Sequence, residues 1–300
     1  MKKSDRKRIR QGKLERQNVG YLLIAPSYMI YLIFVLVPIA WSIVMSFTNY
    51  DLVQYDYIGL DNYISIFTDE VFIKSMINTV VYSALTILPT MILGLSLAML
   101  LNKKFFGKGI FRTLFYMPNI FSMVAVSMAW LYLYDTNSGI FNNLLKAFGL
   151  LPVRWVSSTG TAMLSIAVMS IWNGIGYNMV LFLSGLQSIP DYLYEAASID
   201  GASRWEKFRH ITIPMLSPTT FFVFVMACIQ SFQAFGQILI VTNGGPRNAT
   251  TTIAHQIYQN GFQYYKMGYA SAQAVVLMII IFIITLVNMK YGRGGDNDLS

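Results

Sequence analysis

The sequence predicts an all-α, polytopic membrane protein with six transmembrane helices and both termini in the cytoplasm. Three observations carry that expectation. Charged residues are only 12% of the chain against 55% hydrophobic ones, about half the charge usual in a globular domain. The apolar residues gather in six stretches, roughly 20–47, 75–101, 113–134, 162–187, 218–241 and 268–289, none of which contains Lys, Arg, Asp or Glu. The basic residues fall on alternate loops, 17 of the 22 on one side of the implied membrane.

Each stretch is long enough to cross about 30 Å of hydrocarbon as a helix, and an uncharged helix is embedded in lipid at low cost. The first follows a basic leader of Lys2, Lys3, Arg6, Lys7, Arg8, Arg10, Lys13 and Arg16. It is too long for the apolar core of a cleaved signal peptide, and no small-residue cleavage site follows it, so a retained helix is expected. The leader either sets topology alone or also lies on anionic lipid headgroups, at about 1 kcal/mol per basic residue. Pro26, Pro38, Pro89, Gly94, Gly174 and Gly176 lie inside the stretches, where such residues are tolerated and often mark kinks.

The same side holds Lys103, Lys104, Lys108 and Arg112, then Arg204, Lys207 and Arg209, then Lys290 and Arg293; the other side has Lys74, Lys146, Arg154, Arg247 and Lys266. The positive-inside rule therefore puts loops 102–112 and 188–217 and both termini in the cytoplasm. An even number of spans agrees. Trp41, Tyr132 and Tyr134, near stretch ends, suit interfacial anchors.

A formal charge of +8 would suggest nucleic acid if it were clustered on a polar fold; spread among membrane loops, it sets topology. The single Cys228 cannot form an internal disulfide, and His210 and His255 are too few for a metal cluster. The chain has no GxxxxGK[ST] to cradle nucleotide phosphates, and no HExxH or GxSxG. Proton or ion coupling within a membrane usually needs a buried ionisable residue, and the stretches lack acids altogether. Energy for uphill movement is expected from outside the chain.

Residues 188–217 hold the charges that the flanking stretches lack. Pro190 and Asp191 suit a helix first turn, and Gly201 is placed to end that helix in a left-handed cap. Ser203 with Glu206 makes a capping box for a second helix of a turn or two, and Pro214 closes the unit. Leu193, Ala196, Ala197 and Ile199 form a small apolar surface, suited either to the protein's own helix ends or to a partner's groove.

Glu195-Ala196-Ala197, Asp200-Gly201-Ala202, Phe208, Ile211 and Pro214 resemble the EAA loop of the membrane-spanning subunits of bacterial binding-protein-dependent ABC importers. Asn78-Thr79, Phe111-Arg112-Thr113-Leu114, Gly185 to Pro190, Asn243-Gly244-Gly245-Pro246 and Gly268 to Ala272 are similar to the carbohydrate branch of these permeases, so the likeness covers about residues 20–290. It implies a type I importer permease in a bacterial cell membrane. A transmembrane permease domain would occupy 73–289, preceded by a basic segment (1–19) and a first helix with its outer loop (20–72), and followed by a tail (290–300). The partners implied are a second permease, usually a different chain, a cytoplasmic ATPase dimer that uses the ATP, an extracytoplasmic solute-binding protein and a carbohydrate; the chain itself would bind no cofactor and catalyse no reaction. Glu195 to Asp200 would form the ATPase-docking helix, with Gly201 the bend that aims it. Ala202, Phe208 and Pro214 would complete the docking unit. Glu195 and Asp200 are placed either to pair with basic ATPase residues or to cap local structure.

A sugar path needs hydroxyl-matching hydrogen bonds and aromatic faces rather than fixed charge. Gln230, Gln233 and Gln237 recur at i, i+3 and i+7 in the fifth stretch, one helical face. Ser170, Asn173 and Tyr177 repeat that spacing in the fourth, and Gln273 follows Tyr269 by a turn in the sixth. Unpaired amides against lipid are costly, so these residues should face a cavity, or join helices by hydrogen bonding across interfaces. The absence of basic residues in the stretches favours neutral sugars over phosphate esters. A stand-alone secondary carrier is the alternative reading, and it requires an internal repeat and a coupling-ion site that the sequence does not display.

Overall fold

The computed structural model describes residues 21, 23–103 and 106–292. The expectations for the leader 2–16, Lys104 and the tail from Arg293 onward lie outside the described residues. Four helices are long and apolar enough to cross a membrane: α1 (Leu23–Met45), then, after the short α2 (Asp61–Thr68), α3 (Glu70–Asn102), α7 (Ala162–Gln187) and α13 (Met267–Gly292). Two bent pairs meet the same test together, α4 (Lys108–Ile120) with α5 (Met123–Leu133), and α9 (Arg204–Met215) with α10 (Ser217–Phe232), giving up to six. Short helices α6 (Ile140–Ala147), α8 (Asp191–Ile199), α11 (Gly236–Val241) and α12 (Ile253–Tyr258) fill the connections.

The bundle is built around the pairing of α3 with α7. Glycine makes that approach possible: a β-carbon at Gly94 would sit 2.8 Å from the Asn178 β-carbon. Small residues at crossings let membrane helices pack by close backbone approach. One apolar cluster (Met91, Leu101, Phe182, Leu186, Leu216, Val223) joins α3, α7 and α10 at one end of the bundle. A second (Val126, Trp130, Tyr134, Ile166, Ile238) joins α5, α7 and α11, and a third (Ile66, Phe72, Ile253, Val276) ties α2, α3, α12 and α13 together. The Asp69 carboxylate caps α3 by accepting from Val71 N at 2.8 Å and also accepts the Tyr269 hydroxyl at 2.9 Å, pinning the start of α13 to that of α3. In contrast, α1 packs chiefly on α13 among the long helices and leaves nearly all its apolar side chains uncovered, as a lipid-facing helix does.

Two expected spans are not continuous helices. Stretch 113–134 breaks at Phe121–Ser122, where the chain turns by 96°. Pro118 removes one backbone donor near the end of α4, and the Pro118 carbonyl is instead satisfied by the Asn173 amide of α7 at 2.7 Å. Stretch 218–241 breaks at Gln233–Phe235, between α10 and α11. The Ala234 carbonyl at this break accepts the Thr252 hydroxyl at 2.8 Å. In both cases a side chain distant in sequence supplies the hydrogen bond that a continuous helix would have made. Tyr134 also departs from its expected interfacial role: it is 2% exposed, ringed by Trp130, Phe141 and Trp155, and donates to the Ser165 carbonyl at 2.8 Å. Trp41 and Tyr132 are exposed.

Candidate functional site

The two helix breaks face the same space. A cavity of about 550 Å³ lies between α3, the α4–α5 bend, α7 and the α10–α11 break. Five of the seven expected path residues line it: Ser170, Asn173, Gln230, Gln233 and Gln237. The break takes the three glutamines off a single regular helix, yet their amides still meet at one wall. Tyr177, a turn further along α7 than Asn173, is half-buried and away from this cavity. Gln273 is fully buried elsewhere, its carbonyl accepting from Asn260 at 3.2 Å.

Sequence reasoning missed Tyr82, Thr86, Thr90 and Asn119, which also line the cavity. A signal existed for the first three. Ser75, Thr79, Tyr82, Thr86 and Thr90 are all buried, and steps of three and four put them on one helical face. Asn119 had no such signal, since only the 96° bend brings it here. The polar side chains divide into two kinds. The Gln237 amide donates to Tyr82 Oη at 2.8 Å, the Asn173 amide to the Pro118 carbonyl, and the Ser170 hydroxyl to the Ile166 carbonyl at 2.9 Å. Asn119, Gln230 and Gln233 are exposed and Asn178 is buried, and the amides of all four make no hydrogen bond among the described residues.

The loop expected to dock a partner is a pair of helices joined by hydrogen bonds. Helix α8 ends in a Schellman turn: Gly201 has φ +78°, its N–H bonds the Ser198 carbonyl at 3.2 Å, and Ala202 N–H bonds the Ala197 carbonyl at 2.8 Å. The capping box is complete, with Ser203 N donating to Glu206 Oε2 at 2.7 Å and Glu206 N to Ser203 Oγ at 3.3 Å. Hydrogen bonding from the Ser203 side chain and then its backbone holds the Glu206 carboxyl below its usual range. That contribution is present above the ordinary carboxylate pKa and is lost as pH falls through the depressed one. The second helix, α9, is longer than the turn or two expected, because a π turn at Phe208–Thr212 precedes Pro214 and lets the helix continue to Met215.

The apolar surface of α8 divides between the two roles open to it. Leu193 and Tyr194 pack on the α3–α7–α10 cluster, and Tyr194 Oη lies 3.0 Å from Thr212 Oγ1. Lys207 Nζ donates to Ser198 Oγ at 2.7 Å, bracing α8 against α9. Ile199 is 87% exposed, with Tyr192 and Trp205 also largely uncovered. Glu195, Ala196 and Asp200 point into the open as well; Ala197, Ala202 and Phe208 are half-buried, Phe208 against Trp205, and Pro214 is exposed.

The segment between α11 and α13 is held by buried polar bonds. His255 is fully buried; Nε2 faces Asn243 Oδ1 at 3.2 Å and Nδ1 faces Thr251 Oγ1 at 3.0 Å. An amide oxygen only accepts, so Nε2 carries the proton and Nδ1 accepts. Burial pushes the His255 pKa down from 6.5 to about 4. The unfolded chain then binds the extra proton first, so stability contributed here falls as pH drops from about 6.5 to about 4. Thermal unfolding in detergent should show that acid dependence, and His255→Gln should flatten it; an unchanged slope in the variant would contradict this assignment.

Among the described residues, an all-helical bundle has broken helices around a polar cavity and a braced helical loop at one end, the architecture of a transport permease. The chain belongs to the family of binding-protein-dependent transport system inner membrane components, whose model matches residues 90–291. It is 35% identical over 286 residues to the probable ABC transporter permease protein YurN of Bacillus subtilis, covering 93% of this chain and 98% of the relative. It is 35% identical to the sn-glycerol-3-phosphate transport system permease protein UgpA of Agrobacterium fabrum (90% and 93% covered). To the trehalose/maltose transport system permease protein MalF of Thermococcus litoralis it is 32% identical (94% and 96% covered). The fold matches that of a bacterial ABC transporter involved in the import of the acidic polysaccharide alginate, with a TM-score of 0.83 over 94% of this chain and 98% of the other at 24% identity.

Proposed function

We propose that this chain forms half of the transmembrane path of an ATP-driven carbohydrate importer and is driven by a separate ATPase docked on loop 188–217. One observation carries the reading: α7 and α10 each run between the polar cavity and the docking loop. Helix α7 has Ser170 and Asn173 on the cavity wall and ends at Gln187, just before α8; α10 begins at Ser217, just after α9, and carries Gln230 to the wall. Movement of the loop would therefore be transmitted to the cavity by two continuous helices, the rigid-body switching that alternating access requires.

In this reading six spans cross a bacterial cell membrane with both termini cytoplasmic. The basic loops favour that orientation, and each bent pair counts as one span. The uncovered Tyr192, Ile199 and Trp205 form the apolar centre of the ATPase contact, with Glu195 and Asp200 at its polar rim. The second permease is a different but similar chain, and a solute-binding protein delivers cargo from outside. The carbohydrate class is supported by relatives named for trehalose/maltose and glycerol-3-phosphate transport and by amides and hydroxyls on the cavity wall.

Co-expression with the genomic neighbours and affinity capture tests the coupling. Wild-type protein should bring down an ATPase, and Glu195→Lys should lose it or retain it with ATP hydrolysis uncoupled from transport. Capture of no ATPase under conditions that preserve such complexes, or full transport by the variant, would refute ATPase docking through this loop.

A further inference from the structure

We infer that the cargo is an uncharged polyhydroxy compound, held by Asn119, Gln230 and Gln233, and that phosphate esters and uronates are rejected. This rests on the importer reading above and narrows it. The inference runs against two of the similarities, since one relative is named for glycerol-3-phosphate and the fold match for the acidic polysaccharide alginate.

The chemistry of the wall decides it. Among the described residues lining the cavity there is no Lys, Arg, His, Asp or Glu; the polar groups are amides and hydroxyls of Asn, Gln, Ser, Thr and Tyr82. An anion moved from water into such a space loses its hydration shell and meets no countercharge on this chain's wall, which opposes its entry. A hydroxyl group loses far less and regains it fully where donors and acceptors alternate. Primary amides supply that alternation, each with two donors and one acceptor oxygen. Four lining amides lack internal partners; Asn178 of α7 is buried, and the three exposed ones come from three different parts of the chain: Asn119 from the α4–α5 bend, Gln230 from α10, and Gln233 from the α10–α11 break. Two further amides, Gln237 on Tyr82 and Asn173 on Pro118, are committed to positioning. The start of α5, beside Phe121 and Met123 on the wall, adds backbone N–H donors equivalent to about half a charge at most, which suits hydroxyl oxygens and falls short of balancing a phosphate.

The test uses the assembled transporter, with its partner permease, ATPase and binding protein, in proteoliposomes. A mixed plant and microbial polysaccharide hydrolysate, containing neutral oligosaccharides and uronates and supplemented with glycerol 3-phosphate and polyols, is offered with and without internal ATP. Mass spectrometry then reads which solutes accumulate. ATP-dependent accumulation confined to neutral solutes is expected. Accumulation of an anionic solute, for instance through a cation contributed by the partner permease, overturns the inference while leaving the importer reading intact. No ATP-dependent accumulation of any solute overturns the importer reading and this inference with it. For the solute that accumulates, Gln233→Glu and Asn119→Asp should each cut uptake about tenfold or more, with ATPase capture unchanged; wild-type uptake in both variants would refute the assignment of these amides.

Discussion

Replacing Gly201 with valine is expected to cut ATP-driven uptake about tenfold while the chain still inserts and folds. Gly201 has φ +78°, and a left-handed conformation costs a residue with a β-carbon about 1–2 kcal/mol, which β-branching worsens. A β-carbon there would meet nothing within 4 Å, so the loss cannot come from overpacking the bundle. The strain falls on the Schellman turn that sets the direction of α8 relative to α9, and 1–2 kcal/mol moves a two-state population about 5–30-fold. Uptake and ATP hydrolysis should be measured together on reconstituted protein, with thermal unfolding as the control. Loss of coupling at nearly unchanged unfolding temperature is the expected pattern. Full coupling in Gly201→Val would mean that the geometry of this turn does not aim α8 at the proposed ATPase.

The second large effect concerns stability. Gly176→Ala is expected to destabilise the bundle by about 1–3 kcal/mol or more, the range for overpacking, because its β-carbon would land on the Phe115 carbonyl and the Tyr116 backbone of α4. Backbone cannot swing aside as a side chain does, so α4 would have to lift from α7. That displacement would also move Asn119, and uptake should fall with stability. Gly109→Ala is the matched control, since its β-carbon meets nothing within 4 Å and alanine is the better helix former. Tryptophan fluorescence on heating in detergent compares the three proteins. An unfolding temperature for Gly176→Ala equal to that of Gly109→Ala would contradict the close α4–α7 crossing.

Much of loop 188–217 was legible in the sequence because its determinants are local. The left-handed cap at Gly201 and the Ser203–Glu206 capping box involve residues three to five apart, so the chain specifies them without help from the rest of the fold. The fate of the apolar side chains on α8 was not legible: Leu193 goes inward and Ile199 outward because of how α8 rests on the ends of α3, α7 and α10. The cavity was half legible. Polar residues recurring at helical spacing marked Ser170, Asn173 and the three glutamines, whereas Tyr177 and Gln273 share the same signal and lie elsewhere. Periodicity identifies a face of a helix, and does not say how far along that face an opening extends.

The sequence by itself determined the all-helical membrane class, the apolar stretches and the caps of the loop, since hydrocarbon thickness, backbone hydrogen bonding and local capping act on short windows of chain. Tertiary structure alone decided where two of those stretches break. The Pro118 and Ala234 carbonyls are satisfied by Asn173 and Thr252, partners that exist only after the bundle has assembled. The same two breaks bring Asn119 and Gln233 to the cavity wall, so the polar site depends on long-range hydrogen bonds that no local pattern encodes.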